Sequence, residues 1–171
     1  AWRVVSMTML AAWPQRMVNP IRDYDWGSTT ALARLQGRKP PGGPEAELWM
    51  GAHSSDPSQL VQFDGSTVPL DQAITEHAEP LLGARINETF GPRLPFLLKV
   101  LAIASPLSIQ AHPNSHQARR GFDEETAAGI EVTSPNRTFK DRRHKPELLF
   151  ALQPTDLLCG FRQPSLTAKL L

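Results

Sequence analysis

Hydrophobic and polar positions alternate with period two in 47–53, where Glu47, Trp49 and Gly51 share one face and Leu48, Met50 and Ala52 the other. That period sends successive side chains to opposite sides of an extended chain and predicts a strand. Upstream, Ser28 precedes Ala31, Leu32 and Leu35 at helical spacing, and Gly37 follows them. A serine cap and a glycine stop predict a short helix there. Segment 38–44, with three prolines and two glycines, reads as a loop. Residues 60–63 and Thr67-Val68 flank Asp64-Gly65, a dipeptide suited to a hairpin because it supplies the positive φ angles of a tight reversal. Leu70, Ala73, Ile74 and His77 return to helical spacing, and Leu81-Leu82-Gly83 closes that region.

The texture changes at residue 94. Segment 94–104 is an apolar run broken by Lys99, expected as a strand buried on both faces. Pro106 ends it, and 107–113 alternates, with Leu107, Ile109 and Ala111 on one face and Ser108, Gln110 and His112 on the other. Asn114 or Ser115 then caps a polar helix carrying Ala118, Phe122 and Ala127. A basic loop ends at Lys145, and 147–152 is a further apolar strand. Segment 164–171 reads as a helix just beginning, with no glycine or proline stop, so the chain is expected to be cut short. The expected class is mainly β with helices.

Length and charge narrow the field. With 171 residues there is room for one domain of ordinary size. Eighteen basic against seventeen acidic side chains leave no broad positive field, so nucleic acid is not an expected partner. The lone Cys159 excludes an internal disulfide and a thiolate metal cage, and reads as a small apolar residue in a reducing, cytoplasmic setting. No window approaches the roughly 20 apolar residues of a membrane helix, and no membrane partner is expected. Sixteen prolines keep the elements short. The chain opens on Ala1, and 1–17 reads as a disordered or misassigned leader before a domain over 18–171.

Candidate chemistry concentrates in two places. Gln110 and His112 project from one strand face as an amide oxygen and an imidazole nitrogen, half of a metal site, although the plainer reading is a hydrogen-bonded His112 at a strand end with Gln110 merely polar. Pro146 favours extended backbone around it and sets Lys145 and Glu147 on one face. Should that strand lie beside the first, Gln110, His112 and Glu147 offer three mixed nitrogen and oxygen ligands to zinc or a similar divalent ion, with a fourth lacking. His77 and His116 fall in expected helices and His53 borders a Ser-Ser-Asp-Pro loop, so all three read as solvated. Lys99 must meet an anion, reach solvent or lower its pKa. The basic residues Arg137, Lys140, Arg142, Arg143, His144 and Lys145, interrupted by Asp141, can attract phosphate but read mostly as a solvated loop.

Four segments, Tyr24-Asp25-Trp26-Gly27-Ser28, Glu45-Ala46-Glu47-Leu48-Trp49-Met50-Gly51, 94–113 ending in Gln110-Ala111-His112-Pro113, and His144-Lys145-Pro146-Glu147, resemble type I mannose-6-phosphate isomerases in order and spacing. The resemblance runs from about Asn19 to the last residue. It implies a cupin-type jelly roll (double-stranded β-helix), incomplete in this chain, with an associated helical region. It also implies reversible interconversion of mannose 6-phosphate and fructose 6-phosphate. Zinc, one per chain, would be held by Gln110, His112 and Glu147. The family's fourth ligand, a histidine, and a catalytic arginine lie beyond Leu171, which leaves open whether these residues alone bind zinc tightly or turn over substrate. Moving a carbonyl between C1 and C2 requires removing a weakly acidic proton and stabilising an enediol, whose oxygens zinc polarises. By similarity Lys145, with His144 beside it, is the proton-transfer candidate. Lys99 and Ser108 fit a sugar phosphate or hydroxyl, and Glu47 and Trp49 a cavity wall, with core packing the other reading of Trp49. Two alternatives stand beside this one. Oxygen chemistry at iron expects a second histidine where Gln110 stands, and a non-catalytic sugar-binding or interaction module expects no conversion.

Overall fold

The strand expected at 47–53 forms as β3 (Glu47–Gly51) and is the centre of a three-stranded antiparallel sheet. A computed structural model describes residues 14–170 and divides the chain into two compact units, Ala1–Ser108 and Ile109–Leu171.

In the first unit β3 pairs with β2 (Ile21–Arg22) on one side and β6 (Leu97–Leu101) on the other. Trp49 lies directly opposite Lys99, and Leu48 opposite Val100. Leu48 is 6% exposed and packs with Leu32, Ala102, Ile21 and Val100. Leu32 comes from α1 (Ala31–Leu35), whose first N–H groups are met by the Ser28 hydroxyl at 3.1 and 3.3 Å, and beyond which Gly37 turns with φ +64°. The glycine stop thus acts as expected, while the cap position itself is Thr30, and Ser28 accepts from two residues ahead of it. With Leu48 committed to the core, the period of two turns Glu47 and Trp49 to the opposite sheet face.

Gly27 locks the start of α1 to the sheet. Ser28 N–H donates to Ala102 and Glu45 N–H donates to Ser28, at 2.7 and 3.0 Å, so Gly27 is pressed against Ala46. A Cβ at Gly27 would lie 2.6 Å from the Ala46 nitrogen. Only hydrogen fits at this crossing.

The hairpin at 60–68 forms from β4 (Gln59–Val61) and β5 (Thr67–Pro69), with β1 (Met17–Val18) on the other edge of β4. Its reversal is longer than the tight turn expected. Only Gly65 (φ +84°) has a positive φ, and Asp64 accepts hydrogen bonds from the amide and hydroxyl of Ser66 at 2.9 and 2.6 Å. Those two bonds hold the Asp64 carboxyl below its usual range. Of the stretch 1–17, residues 1–13 lie outside the described residues, while Met17 pairs with Leu60 and the Arg16 carbonyl accepts from Val61 N–H. Helices α2 (Leu70–Glu76), α3 (Ala78–Leu82) and α4 (Ala84–Phe90) follow. Ala73 and Ile74 are buried as their spacing implies, but α4 occupies a stretch where no helix was expected.

Three strand expectations need correction. Strand β6 is half-buried rather than enclosed, with Leu98 55% exposed, because it ends its sheet and pairs with β3 alone. Segments 107–113 and 147–152 carry no strand ladder among the described residues. Ile109 is 89%, Leu148 98% and Phe150 84% exposed. Alternation makes a strand possible, but a ladder needs a partner to satisfy the backbone.

The second unit is organised by α5 (Ser115–Ala127). Asn114 accepts from Gln117 N–H at 2.9 Å while Gln117 accepts from Asn114 N–H at 3.0 Å, a reciprocal capping box. The chain then folds back along α5. The Phe139 ring sits where a Cβ on Gly121 would lie, 2.4 Å from the nearest ring carbon. A short α6 (Pro164–Thr167) stands where a helix was expected to begin. Two small sheets with helices therefore agree with a mainly β chain bearing helices.

Candidate functional site

The face of β3 opposite the core carries a buried acid paired to a base. Glu47 is 8% exposed, and one of its carboxylate oxygens accepts the Trp49 indole N–H at 2.6 Å and lies 3.2 Å from Lys99 Nζ. The register explains this, since Glu47 and Trp49 are two residues apart and Lys99 stands across from Trp49. The Lys99 ammonium also lies 4.8 Å from the centre of the Trp49 ring. Of the three ways out open to Lys99, it uses two, meeting an anion and keeping its side chain 32% exposed. The Arg22 guanidinium lies 5.2 Å from the Trp49 ring and donates to Asp56 at 2.7 Å, a bond that raises its pKa. His53 meets the ring edge at 5.1 Å and pairs with Ser55, so it is exposed but not idle.

In the second unit His112 Nδ1 lies 3.7 Å from Glu147 Oε2. Two tips on a tetrahedral ion with bonds of about 2.1 Å stand about 3.4 Å apart, so the pair fits two corners of such a site. No third histidine, cysteine, aspartate or glutamate completes a metal cluster among the described residues. Gln110 is exposed and is hydrogen-bonded to neither partner. The pair meets without the strand pairing expected to produce it. His144 and Lys145 are exposed on the segment leading into Glu147, and Ser108 is exposed at the end of the first unit.

The family described as phosphomannose isomerase type I, catalytic domain, matches residues 15–164. The chain belongs to that family. Among curated phosphomannose isomerases, the chain is 46% identical to the mannose-6-phosphate isomerase of Salmonella typhimurium over 87% of its own length and 38% of that protein. It is 46% identical to the Escherichia coli enzyme over 92% of its length and 40% of the enzyme. A solved structure of the Salmonella typhimurium isomerase, bound to fructose 6-phosphate and zinc, superposes with TM-score 0.69 at 45% identity, covering 77% of this chain and 33% of that one. A zinc-bound holo structure gives TM-score 0.70 at 45% identity, over 76% and 33%. The chain therefore spans well under half the length of the phosphomannose isomerases it matches.

Some contacts of this family member had no local signal. Arg137, expected in a solvated loop, is 3% exposed and fully engaged. Lys140 donates to the Ser134 carbonyl at 2.8 Å and Arg142 to Asp123 at 2.6 and 2.9 Å, so both bind their own unit while remaining exposed, as a solvated loop implies. Cys159 is exposed rather than packed. No described helix is long and apolar enough to cross a membrane.

Proposed function

We propose that the chain contributes zinc ligands and sugar-phosphate contacts to an isomerase that interconverts mannose 6-phosphate and fructose 6-phosphate, on a cupin-type jelly roll to which the β2-β3-β6 sheet contributes strands. The observation that carries this reading is the meeting of His112 and Glu147, distant in sequence, at 3.7 Å. Gln110 is the third ligand in this assignment. When held there, zinc supplies positive charge that polarises the sugar's C1 and C2 oxygens.

The chain's own residues do the rest. Lys145, with His144 adjacent, is assigned to move the proton between C1 and C2, a task that needs an amine or imidazole within hydrogen-bond reach. Lys99 is positioned by Glu47 and Trp49 with its ammonium partly open, and is assigned with Ser108 to phosphate or hydroxyl oxygens. Glu47 and Trp49 act by fixing Lys99 and forming the wall beside it. The solved relatives that hold zinc and fructose 6-phosphate support the assignment. A cytoplasmic location is part of the same proposal.

The test joins the C-terminal part of the Escherichia coli enzyme after Leu171 and measures zinc content and sugar-phosphate conversion together. One zinc per chain and conversion abolished by His112→Ala are expected. Zinc bound without conversion supports the sugar-binding module instead, and iron in place of zinc supports the oxygen-chemistry alternative.

A further inference from the structure

Arg137 is the most completely engaged side chain of the second unit. Its guanidinium donates to the carbonyls of Phe139, Ile130 and Phe122 at 2.8, 2.6 and 2.9 Å and to the Thr126 hydroxyl at 2.8 Å. It also pairs with Glu125 at 3.1 Å, lies 4.6 Å from the centre of the Phe122 ring, and has no exposed side-chain surface. Glu125 completes the clasp by accepting the amides of Thr138 and Phe139 at 3.0 and 2.8 Å. Three of these partners, Phe122, Glu125 and Thr126, are on α5, and the others are on the chain that returns from it.

The clasp bears on both arms of the His112–Glu147 pair. Asn114, which caps α5, follows His112 after a single stiff proline, so the direction of α5 sets that of the imidazole arm. The returning chain runs back along α5 through ordered contacts, Thr138 and Phe139 on Glu125, Phe139 on Gly121 and Arg142 on Asp123, and then reaches Glu147. His144 and Lys145 lie on the same stretch. Nothing else among the described contacts ties 130–139 to the helix so fully.

We propose that the Arg137–Glu125 clasp is the positioning device of the metal pair, holding the returning chain on α5 so that Glu147 reaches His112 before any ion binds. The proposal rests on the zinc reading above. A lysine cannot replace the arginine, since one ammonium cannot span four acceptors that a planar fork meets together. Groups hydrogen-bonded to a metal ligand typically change metal affinity 10–100-fold when lost, and the clasp, which acts on Glu147 through the backbone, is placed at the low end of that range, about 10-fold.

The experiment takes the chain joined after Leu171 to the C-terminal part of the Escherichia coli enzyme, as above, titrates it with zinc against a chromophoric chelator and records the visible spectrum of the cobalt-substituted protein. It compares wild type, Arg137→Lys, the milder Glu125→Gln and Leu32→Ala, a substitution in the core of the first unit. Amide exchange of 138–147 without metal is followed in parallel. Zinc affinity at least about 10-fold weaker in both clasp variants, an altered cobalt spectrum, faster exchange of 138–147, and affinity within about twofold for Leu32→Ala are expected. If Arg137→Lys does not fold, Glu125→Gln carries the comparison. Wild-type binding with unchanged affinity in the clasp variants overturns the positioning role alone. Absence of zinc binding by the wild type overturns the zinc reading and the positioning role together.

Discussion

Deleting Lys99 should cost more than neutralising Glu47, because the carboxylate is the more deeply buried partner. Its side chain is 10% exposed and that of Lys99 32%. Lys99→Met keeps most of the stem but leaves an anion with one strong donor, the Trp49 indole at 2.6 Å. Breaking a fully buried pair from one side costs about 3–5 kcal/mol, and discounting for the solvent that already reaches Lys99 gives about 2 kcal/mol. Glu47→Gln leaves an amide oxygen to accept from Trp49 and a lysine free to turn to water, so its cost should be about 1 kcal/mol. The double variant strands no charge and should also cost about 1 kcal/mol, which makes the two changes non-additive by about 2 kcal/mol. Urea unfolding followed by tryptophan fluorescence and by circular dichroism measures all four proteins. Equal single-variant costs, or a double variant that merely sums them, would refute the reasoning.

Gly27→Ala should destabilise the first unit by about 3 kcal/mol, since its methyl would meet backbone that two bridges hold in place. Gly37→Ala, at φ +64° with open space around it, should cost only about 1 kcal/mol, and similar melting temperatures for the two would contradict the steric account. The amide of Phe139 above all, then that of Thr138, holds the Glu125 carboxyl below the ordinary range. A carboxyl with a lowered folded-state pKa contributes stability that is complete above the ordinary value of about 4.3 and is lost as pH falls through the lowered one. Exchange protection of Thr138 and Phe139 should therefore fade on acidification in the wild type and be weak at every pH in Glu125→Gln. Matching pH profiles for the two would count against the assignment.

Local grammar was readable wherever one or two residues decide an element. Ser28 with Gly37, Asn114 with its following turn, and the alternation around Trp49 all produced the structures they announce. Each rests on contacts within a few residues, which spacing can express. The pairing of Lys99 with an anion was also foreseeable, because a charge amid apolar neighbours has few solutions, although its partner depended on register. The failures share a cause in distant partners. Whether 107–113 and 147–152 join a ladder depends on another strand, not on their own alternation. Arg137 looked like one more charge in a basic loop, and its burial arises from carbonyls that only the fold assembles. His112 and Glu147 were legible as residue types that could meet, yet they do so at 3.7 Å without the adjacent strands expected to bring them together.

The bare hydrocarbon of 148–152 calls for a cover. Leu148, Phe150 and Leu152 are 98%, 84% and 74% exposed, on alternate positions of backbone without ladder partners. Covering each such side chain is favourable by about 1.5–3 kcal/mol. A surface that covers them is therefore favoured, and the relatives, more than twice as long as this chain, have further length of their own from which such a cover can be built.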